Sequence, residues 1–114
     1  MNKILTVFVF FFISMDVLAD YSGGHTLTRI RVHVTEVYFD TTSTVPNTCN
    51  SWGEVLRFDH TTDLGTKMLT VLLTAKASGK KVAFWYIATT APGKDHHSGC
   101  NEETMATLTA VAIL

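Results

Sequence analysis

The chain has 114 residues, a formal net charge of −1 at pH 7, 46% hydrophobic residues and a mean hydropathy of +0.21. That balance supplies neither a basic field to hold nucleic acid nor an acidic tail, and a composition so apolar, with only two prolines, excludes a disordered chain. The length suits one domain whose core is near the lower limit for standing alone.

The first predicted element is a leader. Lys3 precedes an apolar run from Ile4 to Ile13 that contains Phe8, Phe10, Phe11 and Phe12. The run is too short to span a bilayer as a mature helix. Val17 and Ala19 stand two apart as the modest side chains that signal peptidase pockets accept. Residues 1–19 therefore read as a cleavable signal peptide, and the protein is expected to be exported, periplasmic or secreted, with no membrane span once the leader is gone. The shortness of the run argues against an uncleaved anchor. Asp16 without a charged face argues against an amphipathic first helix, and Asp20 in place of a cysteine argues against a lipid anchor.

Residues 20–114 remain as a single domain. From Thr28 to Phe39 apolar and polar residues alternate, with Ile30, Val32 and Val34 on one face and Arg29, Arg31 and His33 on the other. After Thr35 the phase flips to Val37 and Phe39, which predicts one long strand with a bulge or sharp bend. Asp40 to Ser51 is a polar loop carrying Pro46 and Cys49, and residues 52–58 alternate again as a second strand segment. A helix follows, opened by Thr61-Thr62-Asp63 and closed by Ser78-Gly79. Its apolar stripe, Leu64, Met68, Val71, Leu72 and Ala75 widened by Leu69 and Leu73, reads as core packing. Val82 to Ile87 is a strand with apolar or aromatic residues on both faces. Residues 88–104 are a long loop, and Thr107 to Leu114 closes the chain as a strand, with Ala106, Ala110 and Ala112 placed on one face.

The two cysteines, Cys49 and Cys100, have one intramolecular pairing, and an exported chain meets an oxidising compartment. A structural disulfide pinning the long loop is the expectation. A reactive thiol or a pair of metal ligands are the alternatives, though neither a neighbour that would lower a thiol pKa nor a C-x-x-C spacing accompanies them. The element order predicts a mainly β fold with one α-helix, a small five-stranded OB-like barrel. An α+β open sheet carrying the single helix is the alternative.

The run from Thr62-Asp63-Leu64-Gly65 through Met68-Leu69 and Leu72 to Val82, with Gly99-Cys100 downstream, resembles small uncharacterised secreted proteins of Gram-negative bacteria. Those proteins are in turn similar to the B subunits of subtilase cytotoxin and related AB5 toxins. The resemblance covers roughly residues 55–114. It implies an OB-fold, a single disulfide, export, and a ring of identical subunits that binds cell-surface glycans. The toxin subunits carry their sugar-binding residues on early strands and loops that do not align here, so no glycan-binding residue is carried over.

Candidate site residues come from the aromatic side chains. In Phe84-Trp85-Tyr86, Trp85 must face away from its neighbours on a strand; one side is core, and the other either lies under the helix or a loop or sits at a surface where a ring can stack on a sugar or a neighbouring subunit. Trp85, Tyr86 and Trp52 are the candidate ligand-binding residues. Asp95-His96-His97 has ligand types that suit zinc or copper but reads as a solvated loop, because adjacent histidines tend to point apart and a disulfide removes Cys100. No metal site and no cofactor are expected. No pair of acids has a spacing that implies shared acid–base work, so no catalytic residue is assigned; Asp59 and Asp95 are the carboxylates a small cation-dependent hydrolase would need. The expected function is a secreted non-enzymatic binding module with a glycan or protein partner, capable of forming a homo-oligomer. A periplasmic interaction factor or inhibitor working through the 94–97 loop is the second reading, and the hydrolase the third.

Overall fold

The computed structural model describes residues 20–114; the predicted signal peptide lies outside them. Six strands, β1 (Asp20–Tyr21), β2 (Leu27–Val32), β3 (Glu36–Thr41), β4 (Leu56–Asp59), β5 (Val82–Ile87) and β6 (Ala106–Ile113), form one mixed sheet in the order β1-β5-β6-β4-β3-β2. All neighbours are antiparallel except β4 and β6, which run parallel through Leu56↔Ala106 and Arg57↔Thr107. One helix, α1 (Asp63–Ser78), connects β4 to β5.

The expected five-stranded barrel is corrected: the sheet has six strands and is open, a mainly β fold with one helix and one disulfide. Its edges are β1 and β2, which do not pair with each other although only residues 22–26, with Gly23-Gly24 at their centre, separate them. The sheet is nevertheless strongly curled. His25 exchanges hydrogen bonds with Val82 of β5 (2.8 and 2.9 Å), while the next residue, Thr26, accepts one from Thr42 just after β3 (2.9 Å). In a flat sheet three strand spacings, about 14 Å, would separate β5 from β3.

The phase flip after Thr35 marks a hairpin rather than a bend. β2 and β3 pair from Leu27↔Thr41 to Val32↔Val37, and His33 N–H closes the reversal on the Glu36 carbonyl at 2.7 Å. No glycine or asparagine signals this turn. Its support comes from the end of β4, where His60 N–H donates to the Thr35 carbonyl (3.0 Å) and the His60 ring meets the His33 carbonyl (2.8 Å). At this hairpin on the edge of the sheet Val34 is 81% exposed and Val32 is also largely in solvent, contrary to the alternation.

The helix begins and ends where capping chemistry places it. Thr62 Oγ1 accepts from Gly65 N–H at 2.9 Å, and Gly79 takes the left-handed conformation (φ 66°) while Lys80 N–H bonds the Ala75 carbonyl at 3.0 Å. Its buried face is Gly65, Met68, Leu72 and Ala75, narrower than the predicted stripe, since Leu64 and Leu73 face solvent. Gly65 is required by space: a Cβ there would collide with the Asp59 carbonyl at the end of β4. The helix packs on the inner face of the sheet, where Val37, Phe39, Leu56, Phe58, Phe84, Tyr86, Ala106 and Leu108 form the main core. In β6 the register shifts between Trp85↔Ala110 and Tyr86↔Leu108, so Thr109 is an extra residue. That bulge puts Ala106 on the inner face and Ala110 and Ala112 on the outer one, correcting their placement together.

Candidate functional site

The outer face of the sheet carries a second, smaller apolar cluster: Tyr38 of β3, Met105, and the Cys49–Cys100 disulfide, with Ala91 against it. The disulfide joins the β3–β4 loop to the β5–β6 loop. Asn50 N–H donating to the Lys94 carbonyl (2.8 Å) and Thr89 N–H to the Asn47 carbonyl (2.9 Å) hold the same two loops together. Between these loops and the outer face of β2 and β3 lies a cleft of about 540 Å³, lined by Arg31, Tyr38, Trp52, Glu54, His96 and residues 101–103 among others.

Trp52 enters the cleft rim from a tight turn, not from the predicted strand; β4 starts only at Leu56. Ser51 and Glu54 exchange backbone hydrogen bonds at 2.8 and 3.1 Å, and both central residues are left-handed, Trp52 at φ 55° and Gly53 at φ 91°. This is the geometry of a two-residue type I′ hairpin turn. Asn50 Oδ1 accepts from Gly53 N–H (2.8 Å), and an Arg29 Nη donates to the Trp52 carbonyl (3.1 Å). A tryptophan in the left-handed region is strained, yet its side chain is 73% exposed.

His96 lies against that ring, with centroids 3.8 Å apart and planes 19° from parallel. It belongs to a single 3-10 turn, His96–Ser98, capped by Asp95, whose Oδ1 accepts from the Ser98 N–H at 3.0 Å. The Ser98 hydrogen bonds hold the Asp95 carboxyl below its ordinary range. His97 packs beside His96 at 4.0 Å.

The floor is polar. Glu54, only 3% exposed, receives both Nε and Nη2 of Arg31 at 2.8 Å, and Arg29 approaches the same carboxylate at 3.6 Å. The Arg31 guanidinium lies 4.4 Å above the Tyr38 ring. Burial, and then a hydrogen bond to Glu102, push the Tyr38 hydroxyl up to about 12.

The three aromatic residues singled out in the sequence do not converge. Tyr86 is 1% exposed in the main core and its hydroxyl donates to the Pro46 carbonyl at 2.6 Å. Trp85, on the outer face of β5, is 37% exposed and packs on Tyr21 of β1 at 4.9 Å. Only Trp52 lines the cleft. Asp59 and Asp95 do not: Asp59 is engaged by Thr61, and Asp95 caps the 3-10 turn. Among the described residues no group of three His, Cys, Asp or Glu side chains is placed to hold a metal ion, and no helix is long and apolar enough to cross a membrane.

Sequence reasoning missed Arg31, Tyr38, Glu54 and Glu102 as site residues, and weighed His96 only as a metal ligand or as part of an interaction loop, not as a partner of Trp52. The arginines read only as the solvent face of a strand. The one local signal was Asn50-Ser51-Trp52-Gly53, whose Asn and Gly suit a tight turn. Compared with known protein families, curated proteins and solved structures, the chain matches none.

Proposed function

We propose that this chain is an exported, non-enzymatic binding module that recognises a glycan in the cleft between β2–β3 and the two disulfide-joined loops. The observation that carries the reading is Trp52: a large ring left in solvent, in a strained backbone conformation, braced by Arg29 and backed by His96. Exposure and strain are both unfavourable for folding, and both are what a stacking platform for an apolar sugar face requires. Arg31, Asn101, Glu102 and Glu103 around it supply donors and acceptors for hydroxyl groups.

The strand order from β2 to β6, with the helix between β4 and β5, follows the element order of an OB-fold. The cleft, however, lies on β2, β3 and the β3–β4 and β5–β6 loops and not on the second and third strands where OB-folds bind oligosaccharides, so the reading rests on Trp52 and not on topology. A homo-oligomer, as the toxin resemblance implies, would multiply a weak single site through avidity.

The test is a glycan array probed with oxidised protein spanning residues 20–114. Binding to a defined set of glycans, abolished by Trp52→Ala, supports the reading; an array without signal, from a protein whose melting is cooperative, refutes it. Capture of a protein partner that persists in Trp52→Ala would favour the interaction-factor reading instead.

A further inference from the structure

We propose that the cleft is selective for neutral, hydroxyl-rich sugars and rejects anionic ones, those bearing carboxylate, sulfate or phosphate groups. This rests on the glycan reading above and concerns the ligand class of the same site. An anionic sugar is held most strongly by an uncommitted cation at the site. The cleft lining contains one arginine, Arg31, and one histidine, His96, whose ring lies on Trp52, against three glutamates, Glu54, Glu102 and Glu103.

Arg31 already has its charge paired with Glu54, which leaves Nη1 to donate to a sugar hydroxyl. Its Nε and Nη2 both go to Glu54 at 2.8 Å, a bidentate pair in which the carboxylate is almost wholly buried. Its guanidinium is also held over Tyr38. The next cation, Arg29, shares the Glu54 carboxylate at 3.6 Å and donates to the Trp52 carbonyl at 3.1 Å. Glu54 thus offsets one of the two positive charges beneath the cleft, and with Glu102 and Glu103 on the rim the five groups sum to a net charge of −1.

Glu102 and Glu103 remain exposed on the opposite rim, with the Asn101 side-chain oxygen accepting from Glu103 N–H at 2.8 Å to fix the local turn. Carboxylates are acceptors only, so they suit the hydroxyl donors of a neutral sugar. Toward an anion they are repulsive: a like charge 4 Å away in water weakens binding by about fivefold, and the two rim carboxylates act together. The effect is screened by salt. Negative charge on the rim and partial cancellation of positive charge on the floor act in the same direction.

The experiment compares matched pairs on an array, neutral oligosaccharides and the same structures carrying sialic acid or sulfate, for wild type and for the Glu102→Gln/Glu103→Gln double variant at neutral pH. Wild type should prefer the neutral member by about tenfold at low salt, and the double variant should reduce that preference severalfold. Both substitutions are at exposed positions, and a thermal melt checks that the fold is retained. A second measurement on wild type alone, the neutral preference at high against low salt, should show it shrinking as screening rises. Equal or tighter binding of the acidic members by wild type, or a preference unchanged by both the double variant and salt, overturns the proposal while leaving the glycan reading standing. An array silent for every sugar refutes both.

Discussion

Trp52 and His96 stack at 3.8 Å although they belong to different loops, and the Cys49–Cys100 bridge joins those loops three residues before Trp52 and four after His96. The same covalent link that closes the outer apolar cluster therefore also helps, with the Asn50–Lys94 and Thr89–Asn47 backbone bonds, to hold the two rings together. Stability and site geometry are coupled through one bond.

Replacing both cysteines, Cys49→Ser with Cys100→Ser, should expose that coupling. The bridged residues are 51 apart in sequence, for which the chain-entropy account gives about 4 kcal/mol. Urea denaturation should show a loss of that order, and near-ultraviolet circular dichroism should lose the Trp52–His96 contribution. Unchanged stability would mean that the remaining loop contacts suffice.

Strain at Trp52 can be separated from its stacking. Trp52→Ala and Trp52→Gly both remove the ring, but only glycine tolerates φ 55° at no steric cost. The glycine variant should be more stable than the alanine variant by about 1 kcal/mol in urea unfolding, with glycan binding absent from both. Equal stabilities would show that the turn is not strained.

The Arg31–Glu54 pair should respond asymmetrically. Arg31→Met leaves a buried carboxylate with only Arg29 nearby, at a cost of about 3 kcal/mol. Glu54→Gln leaves a half-exposed arginine that water can solvate, at about 1 kcal/mol. The order of the two midpoints in urea decides the matter, and a reversed order would mean that the buried carboxylate finds another partner.

Alkaline pH should weaken the fold through Tyr38. Its hydroxyl is raised from 10.0 to about 12 in the folded protein, chiefly by burial. The folded state therefore keeps a proton that the unfolded state releases first, so this contribution is intact below about pH 10 and is lost as pH rises towards 12. Melting temperature should fall across that window, and Tyr38→Phe should flatten the fall. Tyr86, also raised by burial, sets the part that remains.

Gly65→Ala tests the helix seat. Alanine favours a helix interior by about 1 kcal/mol over glycine, but its Cβ would run into the Asp59 carbonyl. The overpacking should win, with a net loss of about 2 kcal/mol. A stabilised variant would show that the first turn can shift away from β4.

How far the chain could be read in advance follows the range of each interaction. Thr62, Gly79 and the Met68–Leu72–Ala75 spacing act within a few residues, so the helix was legible. The Cys49–Cys100 pair was legible because two cysteines leave one choice. The hairpin at His33-Val34-Thr35 was not, because His60, from the end of β4, supports it. Trp52 was visible as a candidate but was assigned to a strand, whereas the turn that presents it closes on Glu54 and Arg29.

The sequence by itself determined a sheet-rich domain with one capped helix, its place in the chain, and a single possible disulfide, since periodicity, capping and cysteine count are local or combinatorial properties. Only the tertiary structure decided that the sheet is open and curled with β1 and β2 as its edges, and that Trp52, His96, Arg31 and Glu54 meet in one cleft. Those relations depend on strand register and on which loops cross the outer face. Register is settled when the inner face packs against the helix, because a slip of one residue would turn every core side chain to solvent.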